Sequence, residues 1–367
     1  MVRFVFSGIA IFLSWSSVWE VLGQQEVSGI RLVYPTGLAL NSDHDLYISD
    51  IGTHQILRLT DGGELVVIAG TGAPGFGGDG EPSEQAQLFA PHDIAFDSDD
   101  NLLIADTLNH RVRRIDGSGV ITTVAGNGVA AAGGDDGPAV DASLNGPQDL
   151  EIDREGAILI ADTFNNVVRR IDLKGVITTI AGTEPGLSGD GGSARGAELN
   201  LPNAVTVSPD GTVYISDAGN SRIRRITTDG NIETVVGHGV GYGLGGAGFM
   251  GDGGPATKAK IFSAAGLDFD TSGKLYISDS GNNRIRVVVY EIIRTVAGSG
   301  ESGFWGDGEQ ALSAALNTPQ KIVVGPDDSL FIADRANGRI RTIDSRGVIR
   351  TIVGEGVPPG ILVDPNI

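Results

Sequence analysis

The chain has 367 residues, a formal net charge of −20, no cysteine and 56 glycines. The charge argues against nucleic acid and anionic lipid surfaces as partners, since both select clustered Lys and Arg. The missing cysteine removes disulfides, thiolate metal sites and cysteine nucleophiles together, and glycine at this level without a three-residue period points to many turns between short strands.

Residues 1–23 carry one basic residue, Arg3, then run largely apolar over 4–19 and reach Val21-Leu22-Gly23. This reads as a secretory signal, which leaves 24–367 as a single mature domain, secreted or periplasmic. No later stretch has the length of a membrane span, so the mature chain is not expected to insert stably in a bilayer.

From there the chain repeats. An apolar run closing on Ser-Asp or Ala-Asp occurs six times, ending at Asp50, Asp106, Asp162, Asp217, Asp279 and Asp334. The intervals are 56, 56, 55, 62 and 55 residues. Each unit reads as four strands; in the second they are 94–97 (a), 102–105 (b), 111–115 (c) and 120–125 (d), with Asp, Asn and Gly turns between them. Strand b is apolar on both faces, as a strand packed between two neighbours must be. Six four-stranded units repeated radially make an all-β, six-bladed β-propeller of antiparallel blades. The last outer strand, 348–353, is expected to close the ring, and residues 24–34 to add a strand to that closure.

Between units lies a second motif. Gly-Asp (Asp79, Asp135, Asp190, Asp252, Asp307) is followed seven residues later by Ala and nine later by Leu or Ile. Apolar positions after a proline in this spacing predict one short helical turn, with the Asp expected to satisfy its free N–H groups. Phe76, Phe249 and Phe304 precede their Asp by three residues and are expected to tuck under the loop.

The segment Asp217-Ala218-Gly219-Asn220-Ser221-Arg222-Ile223-Arg224, echoed at 279–286 and 334–341, resembles the NHL repeat family. The resemblance covers about residues 30–356, and the inter-repeat loops are similar to those of bacterial secreted NHL proteins and of the teneurin propeller. It implies the propeller fold. Members of the family range from protein- and RNA-binding modules to lyases, so function has to be argued from sites.

Residues that recur in every unit are read as framework. An Asp closing strand b accepts hydrogen bonds from its turn, and an Arg on strand c pairs with it. This assigns a structural role to the six aspartates and to Arg111, Arg113, Arg222, Arg224, Arg284, Arg286, Arg339 and Arg341. The first unit has Thr53 and Gln55 in place of Asn and Arg, and the third has Val167 at the first Arg position. Weaker ion pairing is expected in both.

Residues that differ at equivalent positions are the candidates for recognition. Strand a lines the channel, and the position after its Pro, at the channel mouth, is Thr36, His92, Gln148, Asn203, Ala265 or Gln320; the next residue is Gly37, Asp93, Asp149, Ala204, Gly266 or Lys321. Such an unequal polar ring suits an asymmetric ligand. Tyr242, in an insertion without counterpart, and Trp305 are candidate contact aromatics on the same face. The resulting reading is a monomeric scaffold that binds a protein or carbohydrate partner through the loop-bearing face, with no resident cofactor. The alternative is a metal-dependent hydrolase or lyase of the gluconolactonase or amidating-lyase kind. There His92, Asp93, Asp149 and Asn203 would offer a divalent cation oxygen and nitrogen donors at the channel mouth. Nucleophile elbows, phosphate loops and zinc helices are absent from the sequence.

Overall fold

The computed structural model describes residues 2–6, 9–13, 30–238 and 248–356. A short antiparallel pair, Val2–Phe6 with Ile9–Leu13, stands first. Six antiparallel four-stranded blades follow, each drawn from one continuous stretch. Strands a to d are Pro35–Leu40, Leu46–Asp50, Gln55–Leu59 and Leu65–Ala69 in blade one. In blade two they are Pro91–Phe96, Leu102–Asp106, Arg111–Ile115 and Ile121–Ala125, and in blade three Pro147–Ile152, Ile158–Asp162, Val167–Ile171 and Val176–Ala181. Blade four has Pro202–Val207, Val213–Asp217, Arg222–Ile226 and Ile232–Val236; blade five has Ala264–Phe269, Leu275–Asp279, Arg284–Val289 and Ile292–Ala297. Blade six is Pro319–Val324, Leu330–Asp334, Arg339–Ile343 and Ile349–Val353. The a strands pack side by side around the centre, the last against the first.

Ile349–Val353 is the outer strand of blade six, as expected, and among the described residues no strand is exchanged between blades. Residues 30–34 form no strand, and 24–29 lie outside the described residues. Instead Leu32 packs with Leu38 and Ile48 of blade one and with Ala333, Ile340 and Val353 of blade six. It does for that junction what Leu88, Leu144, Leu199, Ile261 and Leu316, all buried, do for the others.

The wedge is needed because blades fan apart from the axis and open a gap at the rim. Each inter-blade loop first runs beside strand d of the following blade, then fills that gap with its Ala and Leu or Ile. Gly80 N–H donates to Ile121 O (2.8 Å) and Ile121 N–H to Glu81 O (3.1 Å). In blade three the pairing is regular enough to make Gly137–Pro138 a fifth strand. An otherwise open sheet edge is thereby covered. The predicted helical turns are present as single 3-10 turns, Ser83–Gln85 being the first.

The loop aspartates do not cap those turns. They bind arginine. In blade two Arg113 lies fully buried, 2.7 Å from Asp79 and 3.4 Å from Asp106. Arg169, Arg224, Arg286 and Arg341 repeat this clamp, the last between Asp307 and Asp334. In these five blades the strand-b carboxylate also accepts from the Asn three residues on, as Asp106 does from Asn109 (2.8 Å), and from a loop N–H, here Phe89 (2.8 Å). Blade three is therefore fully paired, contrary to expectation, because Arg169 rather than the residue at Val167 makes the clamp. Blade one lacks it, with Leu57 in the arginine's place opposite Ile48. There the N–H groups of Val33, Tyr34, Gly52 and Thr53 satisfy Asp50.

Candidate functional site

The loop-bearing end of the channel is built from the first residues of the a strands. A register shift after Pro91 and after Pro147 locally frees the backbone from its ladder there. Asp93 and Asp149 are buried, and Lys321 reaches both across the channel, its Nζ 2.9 Å from Asp93 Oδ2 and 2.8 Å from Asp149 Oδ1. Each carboxylate also accepts an N–H of the next blade, Leu150 for Asp93 (3.1 Å) and Val205 for Asp149 (2.8 Å). Burial pushes Asp149 up and Lys321 pulls it down. For Lys321 itself burial works to lower the value, and Asp149, Asp93 and Glu151 outweigh it, so the ammonium stays charged. The ammonium of Lys321 thus stands between the two carboxylates, where an added cation would have to compete with it. Glycine makes room for this arrangement: a Cβ on Gly37 would lie 2.7 Å from Asp93 Oδ1, and one on Gly266 2.5 Å from Gln320 O.

One residue nearer the mouth, His92, Gln148, Asn203 and Gln320 are partly exposed, while Thr36 and Ala265 are buried. Burial, with Arg335 adding to it, pushes His92 down to about 4, so the ring is neutral at physiological pH. Two further histidines, not singled out by the sequence, act between blades. His54 Nδ1 accepts Ala90 N–H (3.2 Å) and His110 Nδ1 accepts Gly146 N–H (3.1 Å). Asn166 and Asn283 do the same for Leu201 and Thr318. The signal was present in each turn as a residue able to adopt positive φ, but its partner lies a blade away.

The loops and turns of this face expose aromatic groups. The Phe76, Phe249 and Phe304 rings do not tuck under the loop. They lie on the surface with Arg111, Arg284 and Arg339 stacked 3.8, 3.8 and 3.6 Å from the ring centroids. Trp305 is 44% exposed beside Phe304, and Phe164, in the b-to-c turn of blade three, is equally open. Tyr242 and its insertion lie outside the described residues.

Residues 185–227 and 299–357 match the teneurin NHL domain family, and residues 90–115 match the NHL repeat. The chain is a six-bladed propeller whose repeats resemble those of both families. Teneurin-4 of Mus musculus is 27% identical over 355 residues, covering 86% of this chain and 12% of its own length. Teneurin-3 of Mus musculus is 28% identical over 365 residues, covering 87% and 12%. The chain therefore spans only a small part of the teneurins it matches. Among solved structures, streptogramin B lyase superposes with a TM-score of 0.54 at 13% identity over 90% of this chain and 86% of its own. An auxiliary nutrient binding protein from Bacteroides thetaiotaomicron gives 0.61 at 18% over 88% and 70%. The Xanthomonas campestris gluconolactonase gives 0.55 at 16% over 88% and 87%. At these identities the likeness is one of fold. Among the described residues no helix is long and apolar enough to cross a membrane, and no group of three His, Asp or Glu stands in a metal-binding arrangement.

Proposed function

We propose that this NHL propeller is an exported recognition scaffold that engages a protein or carbohydrate partner through its loop-bearing face. One observation carries the reading. The exposed aromatic side chains Phe76, Phe164, Phe249, Phe304 and Trp305 stand in the loops and turns of the face that also carries the polar, unequal channel mouth, whereas the repeated aspartates and arginines are consumed in internal clamps. Aromatic groups on an otherwise polar surface are where binding energy concentrates. The auxiliary nutrient binding protein of the same fold is compatible with such a role, and the lyase and lactonase folds are compatible with catalysis.

Affinity capture with the purified propeller tests the reading. The wild type and a Tyr290→Ala control should retain the same partner, and Trp305→Ala should lose it. Metal analysis of the purified protein separates the enzymatic alternative: a stoichiometric divalent cation would favour it over the scaffold. Export adds its own check, a mature N-terminus close to Gln24.

A further inference from the structure

The opposite end of the channel, where strands a turn into strands b, holds an open pocket of about 330 Å³ lined by blades three, four and five. Its apolar walls are Ile152, Val207, Pro209 and Phe269, and Glu151 lines it from strand a of blade three. Asp268 occupies the equivalent place on strand a of blade five, where Phe269 N–H and Val324 N–H, both at 2.7 Å, hold its carboxylate. Glu151 receives no such bond among the described residues. It is one methylene longer, lines the pocket and is partly exposed there, with the charge of Lys321 opposing its own.

The charges around it are unequal. Asp149 on its own strand, Asp93 of blade two and Asp268 of blade five face it through the channel, against the single Lys321 of blade six. At the rim stand Arg154 and Asp270, the latter already bound by Lys274 Nζ at 2.8 Å. Burial pushes the Glu151 carboxyl up to about 8; Lys321 opposes this, and Asp268, Asp149 and Asp93 add to it. At neutral pH the cavity thus presents an uncharged acid with a net negative field behind it. An anion would meet that field, and a neutral hydroxyl would gain nothing from it. A cation on an apolar stem gains from both field and walls.

We propose that this cavity binds a primary ammonium group carried on a short apolar stem, with Glu151 as its counter-ion. On binding, the Glu151 carboxyl gives its proton to solvent and its carboxylate accepts an N–H from the ammonium, so up to one proton leaves per ligand bound. The group is presented equally by a small free amine and by a lysine side chain of a partner.

The test is calorimetric titration near pH 7 in phosphate and in HEPES, whose ionisation enthalpies differ. The probes are phenethylamine, N-acetyl-lysine methylamide and the neutral 2-phenylethanol. Saturable binding of an amine with release of part of a proton is expected, tightening as pH rises towards 8. Binding of the lysine derivative alone identifies a partner's lysine as the source; binding of phenethylamine alone identifies a small amine. Glu151→Gln should weaken binding at least about tenfold and abolish proton release. Arg154→Ala, which removes the rim cation and leaves Glu151 in place, should tighten binding. Equal affinity for 2-phenylethanol, proton release that survives in Glu151→Gln, or no saturable heat at millimolar amine would overturn the proposal.

Discussion

Arg224 shows what single residues contribute to this propeller. It is fully buried and held by Asp217 at 3.2 Å and by the more exposed Asp190 at 2.8 Å. Replacing Asp217 with Ala removes the buried partner, and an uncompensated buried charge costs about 3 kcal/mol or more. Blade one shows the remedy: there Leu57 fills the arginine's place. Adding Arg224→Leu to Asp217→Ala should therefore recover part of the lost stability, read from denaturant midpoints. A double variant no better than the single one would contradict the clamp. The aspartate and the two arginines were legible from their recurrence. Which arginine pairs was not, because both lie two residues apart on one strand and only the register opposite strand b distinguishes them.

Glu151 gives this scale its pH dependence. Its folded value of about 8 lies above the ordinary 4.5. The folded chain keeps the proton that the unfolded chain loses. Its contribution to stability is full below pH 4.5 and is lost as pH rises through about 8. The buried aspartates at about 6, such as Asp217 and Asp334, follow the same sign at lower pH. His92, at about 4, has the opposite sign: its contribution is full above about 6.5 and declines as pH falls. Between pH 6.5 and 8 Glu151 should contribute a fall in stability of up to about 1.4 kcal/mol per pH unit. Glu151→Gln should flatten that slope in urea titrations at pH 6.5, 7.25 and 8. Equal slopes for both proteins would contradict the assignment.

The inter-blade loop is the element on which the ring depends. Its glycine before the Asp is constrained twice: Gly134 has φ 87°, and a Cβ there would lie 2.5 Å from Ala142 Cα. Gly134→Ala must distort either the loop or the wedge beneath it, at a cost of about 1–3 kcal/mol. Thermal melting of this variant against Gly117→Ala, where an added Cβ meets nothing within 4 Å, should show the difference. Equal melting points would mean that the loop is not tightly seated. The wedge was legible because Ala and Leu recur at fixed distances from the Asp. The docking of the loop along strand d was not, since it is made by backbone groups that any sequence carries.

For the whole molecule, six copies at nearly constant spacing made the blade count readable. The way the ring closes was less so. Lys321 joins blade six to blades two and three, bonding residues 228 and 172 positions away, and no local pattern announces such a pair. The same holds for the Glu151 cavity, which needs three blades brought together before it exists. Those repeats fix a rigid ring, and the residues that break the repeat are left to carry recognition.

Matched aromatic substitutions on the two faces separate framework from recognition. Trp305, 44% exposed, stands on the loop-bearing face, and Tyr290, 96% exposed, stands in a c-to-d turn on the other. With a captured partner in hand, the affinity of Trp305→Ala and Tyr290→Ala should be measured alongside their melting points. Trp305→Ala should lose about 2 kcal/mol of binding or more, with little change in melting, while Tyr290→Ala binds as the wild type does. Loss of binding confined to Tyr290→Ala, or equal in both, would contradict that separation.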